Sequence, residues 1–145
     1  MITWEEVLKK GEWIAQMKKT PSMDAWMKEA KKDPSAQDCG MFLFHNGVVR
    51  KSPKARVRNG DNTVPDVKGM QFSYDRQRVE QARLNTLKLE GIRYVRIWLN
   101  EGLLGMGDDI MLILIGGDIR PHVAEALQFL VGTIKNECVI EKEIY

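Results

Sequence analysis

The chain has 145 residues, of which 43% are hydrophobic and 29% are charged, and its formal net charge is +2. These values are typical of a globular domain and exclude an intrinsically disordered chain, which would be poorer in apolar residues. They also give little support to a broad nucleic-acid-binding face, which needs a larger basic excess. We therefore expect one domain over residues 1–145, with a helical segment at 1–35 and a core at 36–145.

The start of the chain and its apolar runs argue against export and membrane insertion. The first ten residues, MITWEEVLKK, carry acidic residues where a signal peptide needs basic ones. The longest aliphatic run, IMLILI at 110–115, is too short to span a bilayer. Cys39 and Cys138 lie far apart and have no neighbouring ligands at metal-binding spacing. We expect a cytoplasmic protein with no membrane contact, no metal site and no cofactor of its own.

Two helices are predicted before residue 35. Thr3 and Glu6 have the spacing of a capping box, and apolar residues follow at helical spacing as far as Met17. Pro21 and Ser22 then open a second helix, SMDAWMKEAKKDPS, which ends before Pro34.

The remaining sequence predicts five strands and two helices, with two loops between them. In chain order the segments are a strand CGMFLFHNGVVR, a basic loop 51–68, a strand GMQFSYD, a helix RQRVEQARLNTLKLEG, a strand IRYVRIWL, a glycine-rich connection NEGLLGMGDD, a central strand IMLILIGG, a helix from Asp118 to about Ile134 and a last strand ECVIEKEIY. This order contains a split βαβ pattern. It predicts an α+β fold in which helices cover one face of a mainly antiparallel sheet.

Cations are the main candidates for a functional site, because no standard enzyme motif is present. Five basic residues lie between Arg50 and Arg58. Arg120 follows a Gly-Gly-Asp turn at the start of the last helix, where backbone N–H groups can bind an anion. The alternative is that Asp118 caps this helix and Arg120 faces water. Lys135 ends the same helix and Lys142 lies in the last strand, where both lysines can equally be solubilising surface residues.

Neither histidine indicates catalysis by itself. His45 alternates within a predicted strand and is typical of a partly buried core residue. His122 lies in the last helix, and no carboxylate partner is evident from the sequence.

Three segments resemble the large, catalytic subunit of molybdopterin synthase. FHNGVVR is similar to a family strand that ends in Gly-x-Val-Arg, and NEGLLGMGDDIMLILI is similar to the family's glycine turn and the apolar strand after it. AEALQFLVGTIKNECVIEKEIY resembles the family's last helix and its ending, with two lysines at the same spacing. The resemblance covers about residues 22–145 and implies the family's α/β hammerhead fold.

The resemblance also implies an activity and partners. The family enzyme is a homodimer whose subunits each bind a ubiquitin-like carrier, giving a heterotetramer. The carrier's C-terminal Gly-Gly, held as a thiocarboxylate, supplies sulfur to cyclic pyranopterin monophosphate to form the dithiolene. By position, Arg50 and Arg120 correspond to arginines that bind the anionic substrate, and Lys135 and Lys142 to lysines that line the sulfur-transfer site. The resemblance thus implies a sulfurtransferase of molybdenum cofactor biosynthesis.

Two other functions stay open at this stage. Ile119 stands where the family has a histidine, so the chain can instead be a non-catalytic paralogue that serves as a binding or assembly module. His122, on a neighbouring part of the same helix, is then the candidate that replaces the missing side chain in substrate binding. An RNA-binding module ranks last, because its characteristic aromatic strand motif is absent and no nucleic-acid partner is expected.

Overall fold

The computed structural model describes residues 1–6 and 18–145. The helices are α1 (Met23–Lys32), α2 (Lys54–Asn59), α3 (Arg76–Leu87) and α4 (Arg120–Thr133). The strands are β1 (Met41–Val48), β2 (Gly69–Tyr74), β3 (Ile92–Leu99), β4 (Gly102–Gly105), β5 (Asp109–Gly117) and β6 (Val139–Ile144). A 3₁₀ turn, Pro34–Asp38, follows α1, and a π-helical turn, Ile134–Cys138, follows α4. The α+β class predicted from the sequence is confirmed.

The N-terminal signals are present where the structure describes them. The backbone N–H of Glu6 donates to Thr3 Oγ1 at 3.2 Å, as expected for a capping box. The helix predicted after it falls largely on residues 7–17, which lie outside the described residues. The second predicted helix is confirmed as α1, where Ser22 Oγ accepts from the backbone N–H of Ala25 at 3.2 Å.

The strands form two separate sheets. One has the order β1–β5–β3 and the other β4–β2–β6, and every pairing within them is antiparallel. The expectation of one main sheet is therefore wrong, and the connection NEGLLGMGDD contains a strand, β4. Gly102 and Gly107 have φ of 95° and 82°, a region that favours glycine, and these turns carry β4 away from β3 and β5 to pair with β2.

Both faces of the β1–β5–β3 sheet are covered. All residues of β5 after Asp109 are buried, which confirms the apolar run as a central strand. Ile113 and Ile115 belong to the main core, which α3 and α4 help to form. Leu112 and Leu114 instead pack with Trp26 and Ala30 of α1. The helices therefore cover two faces of this sheet rather than one, because β5 has apolar side chains on both sides.

Candidate active site

A pocket collects basic side chains beyond the end of β1. Its apolar wall consists of Val48, Val67, Met70 and Ile110, and its polar lining consists of Arg50, Lys54, Arg58, Lys135, Glu141 and Glu143. We call this site the cationic pocket. Four cations and two carboxylates leave a formal excess of two positive charges, so the pocket is suited to an anionic group.

Helix α2 directs the basic residues of segment 50–58 to different sides. Lys54 and Arg58 are four residues apart and therefore project from one face of α2, the face that lines the pocket. Arg56 points elsewhere and binds Asp66, with 2.8 Å between Nη1 and Oδ1. Lys51 Nζ also lies 3.6 Å from Asp66 Oδ2. Asp66 thus pairs with the basic residues Lys51 and Arg56, whereas Lys54 and Arg58 face the pocket and do not contact Asp66.

Strand β6 contributes two carboxylates to the same pocket. Glu141 and Glu143 are two residues apart, so they share one face of the strand. Lys54 Nζ forms an ion pair with Glu141, whose side chain is only 6% exposed. The backbone N–H of Lys54 donates to Glu143 Oε2 at 3.1 Å. These bonds fix the start of α2 against β6.

Lys135 projects from the π-helical turn after α4; the residue as a whole is exposed, but its side chain lines the pocket. Protein atoms around the ammonium group partly remove its water, and this desolvation lowers the pKa of Lys135 below the ordinary lysine value. The charge of Glu141 raises this pKa, whereas Lys54, Arg58 and Arg50 lower it further. A lysine in this setting loses its proton more easily than a surface lysine, which suits proton-transfer chemistry.

His45 lies close enough to Lys135 for the lysine charge to affect it. It is half-buried in β1 beside Leu127 and Val131 of α4, as expected for a core histidine. Burial lowers the pKa of His45, and the charge of Lys135 lowers it further. Both effects favour the neutral form of His45.

Lys142 does not share the pocket with Lys135. It lies between Glu141 and Glu143 on β6, so its side chain projects from the opposite face of the strand, where it is exposed. The structure brings Arg50 and Lys135 together but leaves Lys142 on the other side of the sheet.

Arg120 and His122 lie at the other end of the β1–β5–β3 sheet. Val48 pairs with Asp109 at the start of β5, whereas Met41 pairs with Gly117 at its end. These two ends are roughly 25 Å apart at about 3.3 Å per residue. The turn that leads to Arg120 follows Gly117, so within one chain Arg120 and His122 stand far from Arg50.

Carboxylates surround His122, contrary to the expectation from the sequence. His122 Nδ1 lies 2.8 Å from Asp118 Oδ1, and His122 Nε2 lies 3.7 Å from Glu90 Oε2. The hydrogen bond with Asp118 raises the pKa of His122, and the same bond lowers the pKa of Asp118. Asp118 does not cap α4, because the N-cap is Ile119, which makes no side-chain cap.

The described residues contain no cluster of three or more His, Cys, Asp or Glu side chains arranged to hold a metal ion. Within the same part of the chain, no helix is long and apolar enough to cross a membrane.

Sequence reasoning missed several pocket residues. It singled out the basic run but did not separate Lys54 and Arg58 from the rest, although their spacing of four was visible. It also passed over Glu141 and Glu143, whose spacing of two on a predicted strand places them on one face. What the sequence did not contain was the pairing of β6 with β2, which carries these acids to α2.

Comparison with protein families decides the relationship. The model of the family described as MoaE protein matches residues 17–137. The chain belongs to the MoaE protein family. This is the large-subunit family of molybdopterin synthase, as the sequence resemblance predicted, and it places the chain in molybdenum cofactor biosynthesis.

Solved structures share the fold at low sequence identity. Molybdopterin synthase from Staphylococcus aureus is 17% identical with a TM-score of 0.65, covering 91% of this chain and 88% of that one. The molybdopterin biosynthesis MoaE protein from Burkholderia ambifaria is 17% identical with a TM-score of 0.64, covering 86% and 80%. A complex of subunits 1 and 2 of molybdopterin-converting factor from Helicobacter pylori contains a chain that is 19% identical with a TM-score of 0.58, covering 85% and 80%. No curated protein sequence matches the chain significantly.

Proposed function

We propose that this chain is the catalytic subunit of a molybdopterin synthase and that the cationic pocket is its sulfur-transfer site. The observation that carries the proposal is the convergence of Arg50 and Lys135 in one pocket of a MoaE family member. The substrates are a carrier thiocarboxylate and cyclic pyranopterin monophosphate. Both are anionic, and a neutral site would bind them only at a large desolvation cost.

The two central cations have different roles in this proposal. The planar guanidinium of Arg50 suits paired oxygens of a phosphate or a carboxylate-like tail. Its Nε already donates to Ser52 O at 2.9 Å, which fixes the orientation of the guanidinium. Lys135, whose pKa burial lowers, is the group that exchanges protons during sulfur transfer. Lys142 and Arg120 stay proposed on the family resemblance alone, and His122 stays proposed as the side chain that replaces the missing family histidine.

A ubiquitin-like carrier ending in Gly-Gly is the proposed partner. The Helicobacter pylori structure contains both subunits of that converting factor, which supports a small-subunit partner for this related chain. The pocket mouth, where Lys135 is exposed, is the proposed entry for the carrier's tail. The cytoplasmic location stays a prediction.

We further propose a homodimer. If Arg120 and Lys135 serve the same substrate, a second protomer must supply one of them, because they lie near opposite ends of the sheet in one chain. Mixing Arg120→Ala with Lys135→Ala protein should then restore part of the activity that each variant lacks. Sedimentation showing only monomer at micromolar concentration would contradict the homodimer.

The test of the proposed function is a reconstituted single-turnover assay. It combines this chain, a thiocarboxylated carrier and cyclic pyranopterin monophosphate, and it measures dithiolene formation. Formation of the dithiolene is the expected result. Binding of the carrier without turnover would instead support the non-catalytic paralogue, the alternative that Ile119 at the N-cap of α4 favours.

The RNA-binding alternative has little structural support. The sheet aromatics Phe42, Phe44 and Trp98 pack in the cluster built around Trp26 and Ala30 of α1. Bases need accessible aromatic faces for stacking, and here α1 covers that face of the sheet.

A further inference from the structure

The cationic pocket is narrow in this structure. The free space inside it is about 50 Å³. Sites for ligands the size of a small cofactor usually enclose roughly 300 Å³ or more, whereas 50 Å³ holds a few water molecules. A ligand of that size can therefore fit inside the pocket only if part of the lining moves.

One group in the pocket lining, the Glu141 carboxylate that contacts Lys54, already resembles a bound anion. The Glu141 carboxylate is almost fully covered and lies against a lysine in a pocket that also holds Arg50, Arg58 and Lys135. A carboxylate in that position has the charge and the hydrogen-bonding pattern of a bound oxyanion. Lys54 itself remains 35% exposed, so an arriving anion can reach it without prior unfolding.

The segment that carries Lys54 is held in a way that permits a small movement. Its internal bonds use none of the charged side chains of the pocket, because Arg56 binds Asp66 and the carbonyl of Val64, and the backbone N–H of Val67 donates to Lys51 O at 2.7 Å. α2 ends at Asn59 and is followed by Gly60, which has φ of 68°. The contacts of Lys54 with Glu141 and Glu143 can therefore break while the loop keeps its own fold.

We propose that Lys54 is an additional anion-binding residue of the cationic pocket, and that Glu141 is an internal carboxylate which holds Lys54 until an incoming oxyanion replaces it. The proposal rests on the proposed function for the identity of the natural ligand. The shared chemistry is a small oxyanion, either a phosphate group or a C-terminal carboxylate. Glu141 competes with that oxyanion and so lowers the apparent affinity of the empty protein.

The test measures binding of two probes by calorimetry. One probe is inorganic phosphate, and the other is a short peptide that ends in a Gly-Gly carboxylate, with its amidated form as the neutral comparison. Lys54→Met should weaken binding of the relevant probe by about tenfold, because a charge-assisted bond is lost. Glu141→Gln should tighten it by a similar factor. The probe that responds identifies the source of the oxyanion.

A double-mutant cycle of Lys54 and Glu141 tests whether Glu141 competes with the oxyanion for Lys54 or acts only through its charge at long range. If Glu141 acts by holding Lys54, Glu141→Gln should give little gain once Lys54 is methionine. A purely long-range effect would give the same gain in both backgrounds. Lys51→Met and Glu137→Gln make the same changes in net charge at exposed positions outside the pocket lining, and they should leave binding unchanged.

Several outcomes would overturn the proposal. They are unchanged binding of both probes in Lys54→Met, additive effects in the cycle, or equal effects of Lys51→Met and Lys54→Met. If Glu141→Gln does not fold by circular dichroism, the comparison of Lys54→Met with Lys51→Met still decides. Coupled binding without dithiolene formation would keep this inference and reject the proposed function, whereas turnover without coupling would do the reverse.

Discussion

The two ends of the β1–β5–β3 sheet differ in the charged groups that surround a basic side chain. Beyond the end of β1, the cationic pocket gathers two arginines and two lysines around two carboxylates. At the other end, His122 lies between Asp118 and Glu90. At the first end, desolvation of the ammonium group and, beyond it, the neighbouring cations lower the pKa of Lys135, whereas at the second end the hydrogen bond with Asp118 raises the pKa of His122. The comparison indicates which end is prepared for an external anion.

The largest expected effect separates Lys135 from Lys142. Lys135→Ala should reduce dithiolene formation by at least about a hundredfold, the usual minimum contribution of a proton-transferring side chain. Lys142→Ala should have a much smaller effect, because Lys142 projects from the opposite face of β6. The measurement is the single-turnover assay on both variants, with circular dichroism to establish folding. Equal losses of activity in the two variants would show that the activity does not depend on whether the lysine faces the pocket.

The next effect concerns Arg50 and tests the pocket as a binding site. Arg50→Ala should weaken anion binding by roughly tenfold to a hundredfold, because it removes charge-assisted bonds worth about 1.5–3 kcal/mol. Arg50→Lys should recover only part of this, since an ammonium group lacks the paired donors of a guanidinium. Binding constants from calorimetry with phosphate and with the carrier's tail peptide provide the check. Wild-type affinity in Arg50→Ala would place the anion elsewhere.

A third prediction concerns the close approach of Gly91 to Asp118, at the end of the sheet opposite the cationic pocket. Gly91 has φ of 78°, and a Cβ there would lie 2.1 Å from Asp118 Oδ1. Gly91→Ala should therefore lower the free energy of unfolding by about 1–3 kcal/mol. Gly132→Ala in α4 is the matched control, because a Cβ there meets nothing within 4 Å and alanine favours the helix by about 0.5–1 kcal/mol. Chemical denaturation of both variants measures the difference, and equal stabilities would contradict this account.

The smallest expected effect is the pH dependence of the His122 contact. The pKa of His122 is raised in the folded chain, so its contribution to stability is complete below the unfolded value of about 6.5 and is lost as pH rises through the folded value. The melting-temperature difference between wild type and His122→Asn should thus be larger at pH 5.5 than at pH 9. His45→Asn is the comparison with the opposite sign, because the folded pKa of His45 is lowered. A His122 difference independent of pH would contradict the ion pair.

Patterns within one element were readable from the sequence, and contacts between elements were not. Val123, Ala126 and Leu130 are spaced three and four residues apart, as one face of a helix requires, and all three are buried in α4. In contrast, Asp118 and His122 meet at a spacing of four that was visible but was not recognised, because the helix was expected to begin at Asp118. The acids opposite α2 depend on the pairing of β6 with β2, which no local pattern of either strand encodes.

The most direct test of the central claim is the titration of the Lys135 ammonium by NMR, with and without cyclic pyranopterin monophosphate. The account predicts that Lys135 in the free protein titrates below the ordinary lysine range, because burial and neighbouring cations disfavour its charge. It also predicts that the bound substrate anion raises this pKa. A Lys135 that titrates like a surface lysine and does not respond to the substrate would contradict the claim that the cationic pocket is the substrate site.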